Sequence, residues 1–354
     1  MPGPSTINDW DVVFVIALIA LASAGALYQL VQTAKYERRF GPPGLLVDVG
    51  GHRLHVTCQG QDQPVVVLES GIAASSLSWS MVQPEIATFT RVCAYDRAGL
   101  AWSDAPSCPL TFARVVDEFA AVIAHVADGE RCVLVGHSFG SWIVRAYASR
   151  HPESIVGLVL VDPPTEWLVM TPHRARLLRG GRYLSRIGAL LARLGVVRAC
   201  LTLLTSGAPG APRQFVKIFG PTAARTLERL VGEVRKLPTD IQPIVQALWC
   251  QPKCFHAMAA HLLALERNGG SIAAFDLPEE IPVIVISSGN QPPEQIAEHR
   301  ILANRSANGR HMTAARSGHW VQFDEPGLIV AEVRGLVELW RASPHRHRRL
   351  SNVT

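Results

Sequence analysis

Charged residues are scarce in this sequence. Asp, Glu, Lys and Arg make up 18% of its 354 residues, and hydrophobic residues make up 48%. A chain so rich in apolar residues is not intrinsically disordered, and its length suffices for one large domain with appendages. The net charge is +5, but the arginines cluster in a middle segment and at the C-terminus, not around a binding motif. We therefore expect no nucleic-acid partner.

Sets of metal-binding residues are also lacking. Cys250 and Cys254 are spaced C-x-x-x-C, but no second close cysteine pair and no histidine pair completes a tetrahedral zinc site. We predict neither a metal nor a cofactor. The seven cysteines are odd in number, and Cys93 and Cys132 lie in apolar strand-like runs where a thiol packs as a small hydrophobic group. This pattern favours reduced cysteines.

One long run is free of charge. It extends from Val12 to Val31, about the ~20 residues that an α-helix needs to cross a bilayer, with Trp10 and Tyr28 placed for the lipid–water interface. We expect residues 1–40 to form a single-pass anchor in a bacterial inner membrane. The flanking charges favour a cytoplasmic catalytic domain, because acidic residues precede the run and basic residues follow it: Asp9 and Asp11, then Lys35, Arg38 and Arg39.

A cleaved signal peptide is the competing interpretation of this run. Ala22-Ser23-Ala24 has the small-x-small pattern of a cleavage site. A signal peptide, however, carries basic residues before its apolar segment, and no Lys or Arg precedes Lys35. The sequence therefore favours an uncleaved membrane helix.

Short apolar runs dominate the residues after the anchor. Two of them flank Gly50-Gly51 and predict a hairpin, and the others are typical of parallel strands buried on both faces. Apolar residues recur with helical spacing over Phe112 to Val126, and a last helix is predicted around Leu328 to Leu339. The predicted strands are Leu45 to Asp48, His52 to Cys58, Val65 to Leu68, Arg91 to Tyr95, Cys132 to Val135, Ile155 to Val161, Ile281 to Ser287 and His311 to Ala315.

The strand pattern stops between residues 165 and 275, where arginines are spaced among leucines in helical sequence. Alternating strands and helices with such an insertion predict an α/β fold: a mostly parallel, doubly wound sheet that carries a helical cap. We expect the core at residues 41–164 and 276–342, the cap at 165–275, and a basic disordered tail at 343–354. The cap arginines are interpreted either as a solvated face or as a lid that contacts the membrane.

The strongest local motif is Gly136-His137-Ser138-Phe139-Gly140. This G-x-S-x-G follows the predicted strand that ends at Val135 and precedes a helix-compatible segment. A sharp strand-to-helix turn exposes a serine hydroxyl, and the glycines allow that turn without a Cβ clash. We predict that Ser138 is a catalytic nucleophile.

A nucleophilic serine needs a general base and an acid that orients it. His319 follows the last predicted strand at a glycine hinge, and this position predicts that it is the general base. Asp162 ends the strand Ile155 to Val161 and keeps the chain order Ser, acid, His, so it is the first choice for the acid, although an aspartate before two prolines is also common in turns. The loop after Ser287 offers no aspartate, and Glu294 is the alternative acid there.

An oxyanion hole requires two backbone N–H groups that point to the developing negative charge. We predict that the amide of Phe139, the residue after the nucleophile, is one of these donors. The other is predicted to be the amide of Ile72, in the loop after the strand Val65 to Leu68.

Several blocks in register resemble the α/β-hydrolase superfamily, in particular bacterial hydrolases that begin with a membrane segment and a V-D-V-G-G-H-x-L-H hairpin. The resemblance covers most of Leu45 to Leu339. It departs from the family at Ser70-Gly71, where His-Gly is often found, and in the missing late-strand aspartate. The blocks are Val65 to Trp79, Cys93 to Gly99 with Trp102-Ser103-Asp104, the G-x-S-x-G, Leu158 to Pro163 and Ser317 to Pro326.

The resemblance and the predicted site imply a serine hydrolase that cleaves an ester, with a small hydrophobic ester or a lipid as substrate, through an acyl-enzyme. Epoxide hydrolases and haloalkane dehalogenases share the fold but use an aspartate nucleophile, so Ser138 argues against them. A cofactor-free haloperoxidase or a thioesterase would use the same triad. A catalytically silent binding protein is the alternative from another class.

Overall fold

A computed structural model describes residues 9–165, 170–205, 232–272 and 278–343. Within these ranges eight strands form one sheet: β1 Leu45–Asp48, β2 Arg53–Gln59, β3 Val65–Glu69, β4 Val92–Tyr95, β5 Cys132–His137, β6 Ile155–Val161, β7 Val283–Ser288 and β8 Arg310–Ala314. The strand order is β1-β2-β4-β3-β5-β6-β7-β8. β1, β2 and β4 pair antiparallel, and all other neighbours are parallel. The predicted strands are confirmed to within two or three residues at their ends.

Helices cover both faces of the sheet, and its central strands β3 and β5 are therefore buried at every position. Val65 and Val67 of β3 pack in one core cluster with α3 (Phe112–Ala127) and α4 (Phe139–Arg150), whereas Val66 and Leu68 pack in a second cluster on the opposite face. That second face is covered by α2 (Gln83–Ile86) and by the last long helix. The layers therefore form the doubly wound α/β fold that the sequence predicts.

The first helix, α1, extends from Asp9 to Arg39. It is the one described helix that is long and apolar enough to cross a membrane, and its most apolar stretch is not buried against the protein. Asp9 and Asp11 in its first turn and Arg38 and Arg39 in its last turn complement the helix dipole.

The insertion between β6 and β7 contains four described helices: α5 Pro172–Arg193, α6 Val196–Thr205, α7 Gln242–Trp249 and α8 Pro252–Ile272. The remaining helices of the core are α9 Pro293–Ala303, α10 Val321–Asp324 and α11 Pro326–Ala342. The cap sequence at 166–169, 206–231 and 273–277, and all but the first residue of the predicted tail, lie outside the described residues.

The expectation of reduced cysteines is wrong for one pair. Cys58 of β2 and Cys93 of β4 lie directly opposite each other in the antiparallel ladder, with Cα atoms 4.1 Å apart, and they form a disulfide. Cys93 does lie in an apolar strand, but its partner comes from a neighbouring strand 35 residues away in the sequence. The other five cysteines are free thiols.

Candidate active site

Ser138 occupies the turn between β5 and α4, and its backbone is strained there. Its φ is +49° and its ψ is −121°, a conformation that L-residues rarely adopt. The turn is tight enough to exclude side chains beside it: a Cβ on Gly136 would lie 2.7 Å from the carbonyl oxygen of Gly140, and a Cβ on Gly140 would lie 2.5 Å from the oxygen of Glu69. Both glycines of the motif are therefore required sterically, and Ser138 sits at the tip of the bend.

His319 lies in the loop after β8 and contacts the carboxylate of Asp162. Its Nδ1 is 2.6 Å from Asp162 Oδ2. Asp162 is buried, whereas the imidazole is half-buried, with 36% of its side chain exposed. With Nδ1–H donated to the carboxylate, Nε2 is left as the basic nitrogen, which is the tautomer that a general base needs.

Donors from the end of β7 hold the Asp162 carboxylate. The amide of Ser288 donates to Oδ1 at 2.9 Å, and the Gln291 side chain donates to both oxygens at 2.9 and 2.8 Å. Burial by itself raises the pKa of Asp162, but the hydrogen bond and positive charge of His319, together with these donors, hold that pKa below its ordinary value. The carboxylate is therefore ionised where it meets the imidazole.

Glu294, the alternative acid, lies elsewhere. It is exposed in the first turn of α9, and none of the described hydrogen bonds or ion pairs joins it to His319. The loop after β7 does contribute to the site, but through the amide and side-chain donors of Ser288 and Gln291. Its expected carboxylate is supplied instead by Asp162 at the end of β6.

His137, the residue before Ser138, is a buried support for the histidine loop. Its Nε2 lies 2.8 Å from the carbonyl oxygen of His319, and its Nδ1 accepts from Gln322 at 3.2 Å. Burial and the neighbouring His319 lower the pKa of His137 to about 3, so the ring is neutral and donates through Nε2–H. Its ring also packs at 4.8 Å from that of His319 and 5.1 Å from that of Trp320. The element that carries Ser138 thereby fixes the loop that carries His319.

The predicted oxyanion donors flank the serine. Gly71, next to Ile72, approaches so closely that a Cβ on it would lie 3.5 Å from Ser138 Cβ and 2.8 Å from His137 Nδ1. No hydrogen bond among the described residues uses the amide of Ile72 or of Phe139. Two backbone donors next to the nucleophile are thus available for a ligand.

Arg97 holds the oxyanion loop from beneath, a role that the sequence did not single out. Its guanidinium is buried, donates to the carbonyl oxygen of Ser70 at 2.7 Å, and also contacts the oxygen of Gly71 and the carboxylate of Glu69. It lies 5.5 Å from the centre of the Phe139 ring. Arg97 belongs to the block Cys93 to Gly99, which resembles the superfamily. The resemblance alone assigned no function to this arginine.

A small cavity of about 30 Å³ lies between the core and the cap. Its lining is almost entirely apolar. The lining residues come from the oxyanion loop and the segment after it, from the residues after His319, and from the cap. Ser138 does not line it, but Trp320 does, immediately after the histidine. The lining residues are Ala74, Ser75, Ser78, Glu233, Val234, Leu237, Val245, Trp249, Trp320 and Phe323.

The cap also contributes a buried histidine that the sequence did not point to. His261 of α8 is fully buried, its ring lies 5.6 Å from that of Phe139, and neither ring nitrogen has a hydrogen-bond partner among the described residues. Burial, and then the charge of Arg97, lower its pKa well below the ordinary value. This neutral imidazole is the cap side chain that reaches the beginning of α4.

Comparisons with known proteins agree with this geometry. A family model described as the alpha/beta hydrolase fold matches residues 64–195. An AB hydrolase superfamily protein of Gibberella zeae is 26% identical over 302 residues, which cover 79% of this chain and 88% of that protein. Mouse epoxide hydrolase 4 is 28% identical over 327 residues, 84% of this chain and 83% of the relative.

A solved structure of a thermophilic esterase from Thermogutta terrifontis matches with a TM-score of 0.58 at 17% identity, covering 81% of this chain and 94% of that one. At this identity the structural match supports the fold alone. Together with the G-x-S-x-G turn and the sheet order, these matches show that the chain has the α/β-hydrolase fold. The bacterial origin suggested by the resemblance stays a prediction.

Proposed function

We propose that this protein hydrolyses carboxylic esters of apolar substrates through an acyl-enzyme on Ser138. Two observations carry the proposal: a serine lies at a strained strand-to-helix turn, and the loop held by the preceding His137 carries an imidazole that is hydrogen-bonded to a buried carboxylate. In the first step the Ser138 hydroxyl attacks the ester carbonyl while His319 Nε2 accepts its proton.

The tetrahedral intermediate places negative charge on the former carbonyl oxygen. The amides of Ile72 and Phe139 are the donors that we assign to this oxyanion. His319 then donates the proton to the leaving alcohol, and the acyl group stays on Ser138. Water, activated by the same imidazole, attacks the acyl-enzyme and releases the carboxylic acid, while Asp162 keeps the imidazole oriented throughout.

The identity of the nucleophile separates this proposal from the activity named for the mouse relative. An epoxide or a haloalkane opened by a carboxylate gives an ester, which water cleaves. The same substrates opened by the Ser138 hydroxyl would give an ether, which has no carbonyl for water to attack and would leave the enzyme blocked. Ester cleavage is the reaction that a serine in this position completes.

The apolar cavity and the membrane helix support an apolar substrate. Trp320, next to the base, lines this small cavity, and the apolar lining would contact an acyl or alkyl group, whereas it offers few partners to a polar one. A lipid or another ester that partitions into membranes meets both conditions.

A chain-length series tests the proposal. The purified full-length protein is assayed in detergent with p-nitrophenyl esters from acetate to dodecanoate and, separately, with an aryl epoxide. We expect ester hydrolysis that is strongest with medium or long chains, is abolished in Ser138→Ala, and is absent with the epoxide. Epoxide turnover that survives in Ser138→Ala would overturn the assignment.

Two features make opposite predictions about the side of the membrane on which the catalytic domain lies. The basic residues after α1 favour the cytoplasm, whereas the Cys58–Cys93 disulfide favours an oxidising compartment, because cytosolic thiols are kept reduced. We give the disulfide more weight, since charge bias is a statistical preference and a disulfide requires an oxidant. We propose that the domain faces an oxidising compartment. Protease digestion of sealed vesicles of known orientation tests this proposal.

A further inference from the structure

The two halves of α1 have different surroundings. In the first half, large apolar side chains are exposed one after another: Trp10 is 78% exposed and Leu21 is 72% exposed. In the second half, one face of the helix packs against the cap, starting at Gly25. The cap is therefore attached to the helix within its apolar stretch and not beyond the end of it.

The closest approach joins Gly25 to the connection between α5 and α6. A Cβ on Gly25 would lie 2.3 Å from the carbonyl oxygen of Leu194, and a Cβ on Gly195 would lie 2.7 Å from the oxygen of Gly25. Gly195 also has a φ of +70°. Direct backbone contact between two glycines fixes the height of the α5–α6 connection along α1.

A buried polar network locks this arrangement. Gln29 is 4% exposed, donates to the carbonyl oxygen of Cys250 at 2.9 Å, and accepts from Arg198 at 2.9 Å. Arg198 also contacts the hydroxyl of Thr33 at 3.3 Å and lies over the ring of Tyr36. Because these polar groups are hydrogen-bonded within the protein, they can lie at the edge of a bilayer at a lower desolvation cost.

The contact at Gly25 sets the position of the membrane. A span from Trp10 to Leu27 is about 27 Å long at 1.5 Å per residue, close to the hydrocarbon thickness of a bilayer. It ends at the level of Leu194 and Gly195. The C-terminal end of α5 is thereby placed at the boundary between hydrocarbon and headgroups.

The outer face of α5 matches that location. Leu177, Tyr183, Leu184 and Leu190 are each more than half exposed, on one side of the helix. The helix holds six arginines and no acidic residue. Arg179 and Arg182 pair with Glu266 of α8, whereas Arg186 is exposed and has no ion pair among the described residues.

We propose that α5 lies on the surface of the membrane that α1 spans, with its leucines at the headgroup boundary and the exposed Arg176 and Arg186 on anionic lipid phosphates. An apolar stripe flanked by basic residues is the pattern of helices that lie in this interface. The cap and its cavity are then held against the bilayer, on the side from which an apolar ester would enter. The inference rests on α1 spanning a membrane and not on the chemistry of Ser138.

Lipid photocrosslinking tests this placement. The experiment uses the full-length Ser138→Ala protein, so that catalysis plays no part. This protein carries benzoylphenylalanine at one position and is reconstituted in nanodiscs of phosphatidylcholine with or without phosphatidylglycerol. Leu184 is the test position, and Leu18 of α1 is the positive control. Leu339 of α11, which is 60% exposed, is the matched negative control, because the neighbouring Arg341 contacts the loop before β3, at the amino-terminal end of that central strand.

We expect lipid adducts at Leu184 in about tenfold greater yield than at Leu339. An Arg176→Gln, Arg186→Gln double variant should lower the yield about two- to fivefold in discs with phosphatidylglycerol and leave it unchanged in discs without it. Adducts at Leu18 but background levels at Leu184 overturn the proposal. Adducts of Leu184 to a second copy of the chain, or to residues 206–231, overturn it equally, because α5 would then be covered by protein.

Discussion

Asp162 Oδ2 lies 2.6 Å from His319 Nδ1, although the two residues are 157 positions apart in the sequence. The carboxylate comes from the end of β6, and the imidazole comes from the loop after β8. Ser288 and Gln291, at the end of the intervening β7, bind the carboxylate from the other side. The carboxylate that meets His319 thus sits one strand earlier than the loop in which the sequence offered Glu294, and its hydrogen-bond donors come from the end of β7 and the loop after it.

We predict that Asp162→Asn lowers kcat for ester hydrolysis by about 10³- to 10⁴-fold, because the neutral amide no longer fixes the tautomer of His319 or stabilises its cation. Glu294→Gln, on an exposed turn, should leave kcat within twofold of the wild type. Steady-state kinetics on both variants, with circular dichroism to confirm folding, check this. Equal losses in the two variants, or a fully active Asp162→Asn, would assign the acid elsewhere.

Gly71→Ala should reduce kcat by about 10²- to 10³-fold with little change in the fold. The added Cβ would meet His137 Nδ1 at 2.8 Å, which displaces the loop whose Ile72 amide is assigned to the oxyanion. Gly327→Ala is the matched control, since no atom lies within 4 Å of the added Cβ there. If both alanine variants retain wild-type kcat, the loop does not hold the oxyanion.

Glu118 of α3 predicts a dependence of stability on pH. It is 4% exposed, lies 3.3 Å from His52 and 3.5 Å from Arg114, and burial raises its pKa from 4.5 to about 7. The folded state therefore holds a proton that the unfolded state releases above pH 4.5. The contribution to stability is present below pH 4.5 and is lost as the pH rises to about 7.

Glu118→Gln removes this titration. We expect the variant to match the wild type near pH 4 and to be more stable at pH 8 by up to about 3 kcal/mol, since each unit of pKa shift corresponds to about 1.4 kcal/mol. Urea unfolding across this pH range measures the difference. A variant that loses stability equally at both pH values would mean that Glu118 is charged in the folded protein.

The Cys58–Cys93 disulfide predicts a thiol count. Denatured without reductant, the protein should react with five maleimides, and after reduction with seven. Cys58→Ser should cost about 2–4 kcal/mol of unfolding free energy, because the bond closes a long loop, whereas Cys108→Ser should cost little. Seven maleimide-reactive thiols in the unreduced protein, with maleimide present from the moment of cell lysis, would place the domain in a reducing compartment.

Local patterns made most of the core predictable. Apolar runs predicted the strands, because parallel strands are buried on both faces. The G-x-S-x-G motif predicted the turn at Ser138, because the close approach of neighbouring backbone requires its two glycines. The acid stayed open between Asp162 and Glu294, since only the order of strands in space decides which carboxylate meets His319.

Contacts between distant elements were beyond the reach of the sequence. The disulfide depends on the register that brings β2 against β4, and the burial of His261 depends on how α8 packs against the beginning of α4. The interaction of Gln29 with Arg198 joins residues 169 positions apart. In each case a single side chain carries no periodic signal, and its partner is set by tertiary packing.

The account depends most directly on the reactivity of Ser138. Intact-mass measurement after incubation with a fluorophosphonate, followed by peptide mapping, tests it in one experiment. We predict a single adduct on the peptide that contains Ser138, with no adduct in Ser138→Ala and slow labelling in Asp162→Asn. An unlabelled wild-type protein that binds apolar esters without cleaving them, or an adduct on a different residue, would contradict the account.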